Sequence, residues 1–231
     1  MMCITLSLQS QSNSARDPFA GPPLSLAAAA AEAAAEAEAT KLNQIQEMMR
    51  LWGDEGMIDE DRMKKRLKMI QTYPELGKWL AKVADRMIEQ RSPEIADVLD
   101  AIALRTDVPP EATARYFELT KRIIEGKTAK DIKDGFEQEY LSGIADVLAA
   151  HLSPENEDLL IALLHMGTKG HAYRALGRVG TIRALPAMQK YADDYERYAK
   201  TQDNGSVTEW LKDIKASLME LSKRVSGGVR K

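Results

Sequence analysis

Five basic side chains lie in a stretch of the chain that contains no acidic residue. Arg174 and Arg178 are four residues apart, so on a helix they share one face. Such a strip attracts a phosphate backbone, an anionic ligand or an acidic protein. Alternatively, these side chains pair with carboxylates on adjacent helices, and we favour this second interpretation. Between Asp158 and Asp193 every charged residue is positive: Lys169, Arg174, Arg178, Arg183 and Lys190.

Three tyrosines directly follow this basic segment (residues 169–190). Tyr191, Tyr195 and Tyr198 follow one another at intervals of four and three residues, so they form one stripe on a helix. An exposed stripe would stack nucleic-acid bases or hold a cofactor. Packing against neighbouring helices is the simpler interpretation, and we favour it.

Residue types that catalyse reactions or bind metals are sparse. The histidines His151, His165 and His171 form no His-x-x-x-His pair, and a site made of His165, His171 and Asp158 is disfavoured. Cys3 is the single cysteine, which excludes an intrachain disulfide and a zinc site built from several thiolates. No phosphate loop or serine nucleophile elbow is present. We therefore predict no catalytic residue, no metal site and no cofactor, and an enzymatic activity is not expected.

The elements that position these residues are predicted to be helices. Aromatic residues make up only 6% of the 231 residues, and Ala, Leu and Met are frequent, which favours an aliphatic helical core. Proline and acidic residues mark repeated helix starts, as at Ser153-Pro154-Glu155. Period-two alternation is absent, so no strand is predicted. We expect about ten helices, stacked as antiparallel pairs in an α-solenoid or an irregular bundle.

The predicted organisation has four parts. A Ser/Pro-rich tail at 1–25 is expected to be disordered, and a helical N-terminal part covers 26–140. Helical repeats cover 141–225, and a flexible C-terminus covers 226–231. Thr128 to Asp131 is typical of a capping box that starts a helix, and the apolar-periodic region after it, through Leu152, is either continuous or broken near Ser142-Gly143.

Internal similarity supports repeated helix pairs. The string Ile-Ala-Asp-Val-Leu occurs at 95–99 and again at 144–148, which indicates either stacked repeats or chance reuse of an amphipathic pattern. The segment 171–192 contains Ala175-Leu176-Gly177, Val179-Gly180 and Ala184-Leu185-Pro186-Ala187-Met188. This segment resembles a short HEAT repeat of the type found in phycobilin lyases and bacterial scaffold proteins, and the resemblance extends loosely over 140–225. It implies a curved stack of helices that binds another macromolecule.

Three functions remain open. The leading one is a non-catalytic scaffold that binds a protein partner. Nucleic-acid binding through the basic segment is the second, although a net charge of −3 argues against it. The third is an enzyme of the bilin-lyase type, which the repeat resemblance alone supports. No run of about 20 apolar residues is present, so we expect a cytoplasmic protein without a membrane segment and predict no particular oligomeric state.

Overall fold

The protein is all-α in a computed structural model that describes residues 26–53, 68, 70–168, 170–202 and 205–228. Besides a helical stretch that ends at Thr72, these residues form nine helices and no strand, which confirms the predicted fold class. None of these helices is both long and apolar enough to cross a membrane. The predicted tail at 1–25 lies outside the described residues. The helices are α1 (Leu26–Gly53), α2 (Leu76–Gln90), α3 (Ile95–Ala103), α4 (Pro110–Ile124), α5 (Gly135–Ala150), α6 (Pro154–Leu163), α7 (His171–Val179), α8 (Leu185–Ala199) and α9 (Gly205–Gly228).

The chain divides into two units, residues 1–40 and residues 41–231. In the first unit, residues 26–40 are helical and mostly exposed, as expected for an Ala/Glu run without a large apolar stripe. In the second unit, the continuation of α1 carries apolar side chains that are buried, among them Ile45 and Met49. The predicted boundary at 140/141 lies within α5, and α9 continues to Gly228.

Helices of the second unit form a row in which each member contacts the next. The row runs α3, α5, α7, α9, and α2 packs on the outer side of α3. Helix α4 contacts both α5 and α6, while α6 contacts α5 and α7, and α8 contacts α9. Helices that alternate along the chain are therefore neighbours in the row, as in stacked helix pairs.

The two copies of Ile-Ala-Asp-Val-Leu lie on neighbouring helices of this row, α3 and α5. Their large apolar side chains are fully buried: Ile95, Val98, Leu99, Ile144, Val147 and Leu148. A glycine lies at the crossing, because a Cβ on Gly143 would be 2.9 Å from the backbone oxygen of Ala96 and 2.9 Å from Leu99 Cβ. Helix α5 is continuous through Ser142-Gly143. The region is therefore continuous rather than broken there, and Gly143 allows α3 and α5 to approach each other closely.

Helices α7 and α9 also approach each other closely. A Cβ on Gly177 would be 2.9 Å from Ser217 Cβ of α9, so this glycine allows helix contact rather than a turn. Arg224 of α9 donates to the carbonyl oxygens of Gly177 (2.7 Å), Gly180 (2.5 Å) and Arg178. These are carbonyls that the end of α7 leaves without helical partners. One guanidinium thus caps α7 and fixes the helix pair.

Buried tyrosines join α2, α4 and α5. The Tyr116 hydroxyl donates to the Ala81 carbonyl (3.0 Å), and the Tyr140 hydroxyl donates to the Tyr116 carbonyl (2.7 Å). Burial raises the pKa of both phenols well above the ordinary value. They therefore remain neutral donors, which satisfies polar groups that would otherwise be costly to bury.

Of the two helix starts predicted from named residues, one is confirmed and one is wrong. Ser153 accepts a hydrogen bond from the backbone N–H of Asn156 and caps α6, as predicted. The capping box at Thr128 is instead a turn, in which the Asp131 carboxylate accepts from the Thr128 N–H (2.8 Å) and hydroxyl (2.7 Å). Helix α5 begins later, with Asp134 as its cap. Aspartate side chains stabilise both turns and helix starts, so the spacing of Thr128 and Asp131 does not distinguish the two structures.

An arginine–aspartate pair stabilises the connection between α3 and α4. Arg105 forms two hydrogen bonds with the Asp107 carboxylate, both 2.7 Å, and donates to the carbonyls of Ile70 (2.6 Å) and Gln71 (2.8 Å). Asp107 also accepts from the backbone N–H of Gly77 at 3.3 Å. The hydrogen bonds from Arg105 hold the pKa of Asp107 below its ordinary value.

The substitution Gly143→Ala tests the crossing of α3 and α5. Its methyl group must displace the backbone of Ala96, so we expect the free energy of unfolding to fall by about 1–3 kcal/mol. Gly135→Ala is the matched control, because nothing lies within 4 Å of a Cβ there. Urea denaturation of both variants measures the difference. A loss no greater for Gly143→Ala than for the control would show that the crossing is not tight.

The Asp107 carboxylate should make stability depend on acid pH. Its native pKa lies below the unfolded value of about 3.9, so the ionised form stabilises the fold above that pH. This contribution is lost as the pH falls through the native pKa. We expect Asp107→Asn to be less stable than wild type at neutral pH and the two unfolding free energies to converge below about pH 4. Asp193→Asn, at an exposed carboxylate, is the control for the loss of one negative charge.

Candidate functional site

The basic segment is arranged around α7. Arg174 and Arg178 lie one turn apart on α7, Arg183 lies in the turn before α8, and Lys190 is exposed on α8. Lys169 lies outside the described residues. The positions on α7 follow from the predicted spacing, since the two arginines share one face.

Both arginines of α7 contact a carboxylate of a neighbouring helix. Arg174 pairs with Asp213 of α9 at 3.0 Å, and the side chains are 51% and 54% exposed. Arg178 pairs with Asp146 of α5, whose side chain is only 23% exposed. These contacts agree with the interpretation that the arginines pair between helices. Because Asp146 is less exposed, water screens its pair less than it screens the pair of Asp213.

Arg183 joins a third such contact. Its guanidinium lies 2.7 Å from Asp158 and 3.7 Å from Glu157. Glu157 is buried on α6, and its carboxylate accepts from the N–H (2.5 Å) and the hydroxyl (2.9 Å) of Thr181. Thr181 in turn accepts from the Arg183 N–H at 3.2 Å. The buried glutamate therefore fixes the turn between α7 and α8.

Asp146 is the centre of a polar cluster between helices of the row. Its Oδ2 lies 2.9 Å from Nδ1 of His171, and its Oδ1 accepts from Arg178. Asp100 of α3 completes the cluster, because one potential ligand atom from each of Asp100, Asp146 and His171 lies within 4.8 Å of the other two. We call these three residues the acid–histidine cluster. Each comes from a different helix, so only the packed fold assembles them.

The electrostatics of the cluster favour charged side chains. Hydrogen bonding to Asp146 raises the pKa of His171, against the opposing effect of burial. Burial acts to raise the pKa of Asp146, but hydrogen bonds from His171 and Arg178 outweigh it and hold that pKa below its ordinary value. An ionised aspartate thus lies between two donors.

Two cavities border the cluster, and both are lined by Asp146 and Arg178. One, of about 420 Å³, has walls formed mainly by Ala103, Leu104 and Val179 and also includes Asp100. The other, of about 370 Å³, includes His171 and Arg174 together with Ser217 and Glu220 of α9. The charged groups are therefore accessible from two sides.

The tyrosine stripe extends from the core to the surface. Tyr173 of α7 is buried and stacks on Tyr191 with ring centroids 6.3 Å apart. Along α8, Tyr191 and Tyr195 are 6.4 Å apart, and Tyr195 and Tyr198 are 5.7 Å apart. Burial raises the pKa of Tyr191 to about 12. Tyr198 is 50% exposed, so the stripe is core packing at one end and surface at the other.

Sequence analysis missed the two aspartates of the acid–histidine cluster. Asp100 and Asp146 lie far from the basic segment along the chain and look like ordinary helix-surface acids. The available signal was the repeated Ile-Ala-Asp-Val-Leu string, whose second copy contains Asp146. His171 was considered with His165 and Asp158, but Asp158 instead pairs with Arg183, and the ring of His165 lies against Tyr191 at 5.3 Å.

Neither a protein-family model, nor a curated protein, nor a solved structure matches this chain. The resemblance of 171–192 to a HEAT repeat therefore stays a prediction.

The two arginines of α7 should differ in their contribution to stability. We expect Arg178→Ala to lower the free energy of unfolding by about 1–3 kcal/mol, because it removes a donor from the half-buried Asp146. Arg174→Ala removes an exposed pair and should cost less than about 1 kcal/mol. The two variants share residue type and helix, which makes each the control of the other. Equal losses in urea denaturation would contradict the assigned difference between the two pairs.

Proposed function

We propose that this chain is a non-catalytic interaction module that binds another protein through the exposed aromatic side chains of α8 and α9. The observation that carries the proposal is the exposure of Tyr198 (50%) and Trp210 (38%). Tyr and Trp are enriched among the residues that dominate protein–protein binding. They give a large apolar area and a polar hydrogen-bonding group at low entropic cost. We call Tyr195, Tyr198 and Trp210 the aromatic edge.

Rigid support for the aromatic edge also favours this function. Tyr195 packs between Tyr191 and Tyr198, and the stripe is anchored at the buried ring of Tyr173. Helices α8 and α9 contact each other, and Tyr198 and Trp210 both lie near the connection between them in the chain. An anchored ring loses little freedom on binding, which reduces the entropic cost of association. A suitable partner presents an apolar surface with acceptors for the phenol and indole donors.

The pairing of the arginines with carboxylates argues against the alternative function, nucleic-acid binding. The three arginines of the basic segment are each paired with a carboxylate of a neighbouring helix. A phosphate would have to displace these carboxylates, which would offset much of the gain from each contact. The chain as a whole carries a net charge of −3, so it provides no general attraction for a polyanion.

A photo-crosslinking amino acid at position 198 of the full chain tests the proposal. We expect one identified protein to crosslink in cell extract and to bind the purified chain directly. Tyr198→Ser with Trp210→Ser should weaken that binding at least about tenfold, the effect of losing a central aromatic contact. The control is Ile182→Ser with Met219→Ser, which alters two other exposed apolar residues and should retain binding.

Three results would contradict the proposal. One is equal loss of binding in both double variants. Another is a crosslink between two copies of this chain only. The third is binding of duplex DNA that weakens with salt and disappears in Arg174→Glu with Arg178→Glu, which would support the nucleic-acid alternative.

A further inference from the structure

The acid–histidine cluster offers three potential metal ligands from three helices. Asp100 comes from α3, Asp146 from α5 and His171 from α7, and one potential ligand atom of each lies within 4.8 Å of the other two. Ligand atoms about 2.1 Å from a tetrahedral ion are about 3.4 Å apart. The side chains therefore need to close by no more than about 1.4 Å to surround an ion, a movement within reach of small side-chain rotations.

We propose that Asp100, Asp146 and His171 form a binding site for a divalent transition-metal ion of the Zn²⁺ class. The donor set supports this class, because an imidazole nitrogen suits Zn²⁺ and its neighbours, whereas Mg²⁺ and Ca²⁺ prefer oxygen ligands only. Three protein ligands leave at least one coordination position open. The cavities of about 420 Å³ and 370 Å³ beside the cluster have room for water or a small ligand at that position.

The guanidinium of Arg178 competes with a metal ion for the Asp146 carboxylate. It donates to Asp146 and therefore neutralises the carboxylate that an ion would need. Its side chain is 56% exposed, so it is able to turn towards solvent without burying its charge. Ion binding thus exchanges an arginine–aspartate pair for metal–aspartate coordination. This exchange predicts that removal of Arg178 strengthens metal binding, which a merely structural ion-pair network does not predict.

Calorimetric titration of the full chain with Zn²⁺ at about pH 8 tests the site. All proteins carry Cys3→Ser, because a thiolate is a competing zinc ligand. We expect one ion per chain, with affinity reduced at least about tenfold by His171→Gln or by Asp100→Asn. Arg178→Gln should raise the affinity roughly fivefold or more, since one unit charge about 4 Å away is worth about 1 kcal/mol even in water. His165→Gln and Arg183→Gln are the controls and should bind as the parent does.

A second readout separates metal binding from folding. Zn²⁺ should raise the melting temperature of the parent and of His165→Gln but leave that of His171→Gln unchanged, while circular dichroism shows that each variant is folded. Absence of binding in the folded parent, or retained affinity in His171→Gln, would overturn the proposal. Unchanged or weaker binding in Arg178→Gln would also overturn it, because Asp146 would then not be a ligand. The result is independent of whether the aromatic edge binds a protein.

Discussion

The close approach of helix backbones at two glycines is the constraint on which the second unit depends. Gly143 lies against the backbone of Ala96, and Gly177 lies against Ser217, so neither position has room for a side chain. Helices that approach this closely bring the side chains beside each crossing into contact as well. The acid–histidine cluster spans α3, α5 and α7 for this reason, and Arg224 of α9 reaches the carbonyls at the end of α7 for the same reason.

Charge in this protein acts mainly between helices. The basic segment has no acids of its own, and its arginines pair with carboxylates of α5, α6 and α9. The charges of these arginines are therefore balanced by carboxylates from other parts of the sequence. The degree of burial separates these contacts, since Asp146 is half-buried and faces two cavities, whereas Asp213 is exposed. The ion site is therefore proposed at Asp146 and not at Asp213, even though both pair with arginines of one helix.

Aromatic residues divide between the core and the surface along one stripe. Tyr173 is buried and Tyr198 is half exposed, with Tyr191 and Tyr195 between them. Helical spacing predicted that the three tyrosines of α8 form a stripe, and the ring contacts confirm it. Spacing carries no information about where the stripe leaves the core, because that depends on which parts of α8 other helices cover. The stripe therefore packs against the core at the Tyr191 end and is exposed at the Tyr198 end.

The sequence by itself determined the helical class, the start of α6 at Ser153-Pro154 and the shared faces of Arg174 with Arg178 and of the tyrosines. These are local properties, set by propensity, capping and the helical period. It did not reveal that α5 continues through Ser142-Gly143, because a glycine that ends a helix and one that permits close packing look alike in one dimension. Only the tertiary structure decided which carboxylate each arginine meets and that Asp100, Asp146 and His171 come together. Contacts between residues 25 to 71 positions apart depend on helix packing, and the local sequence around each residue does not encode its distant partner.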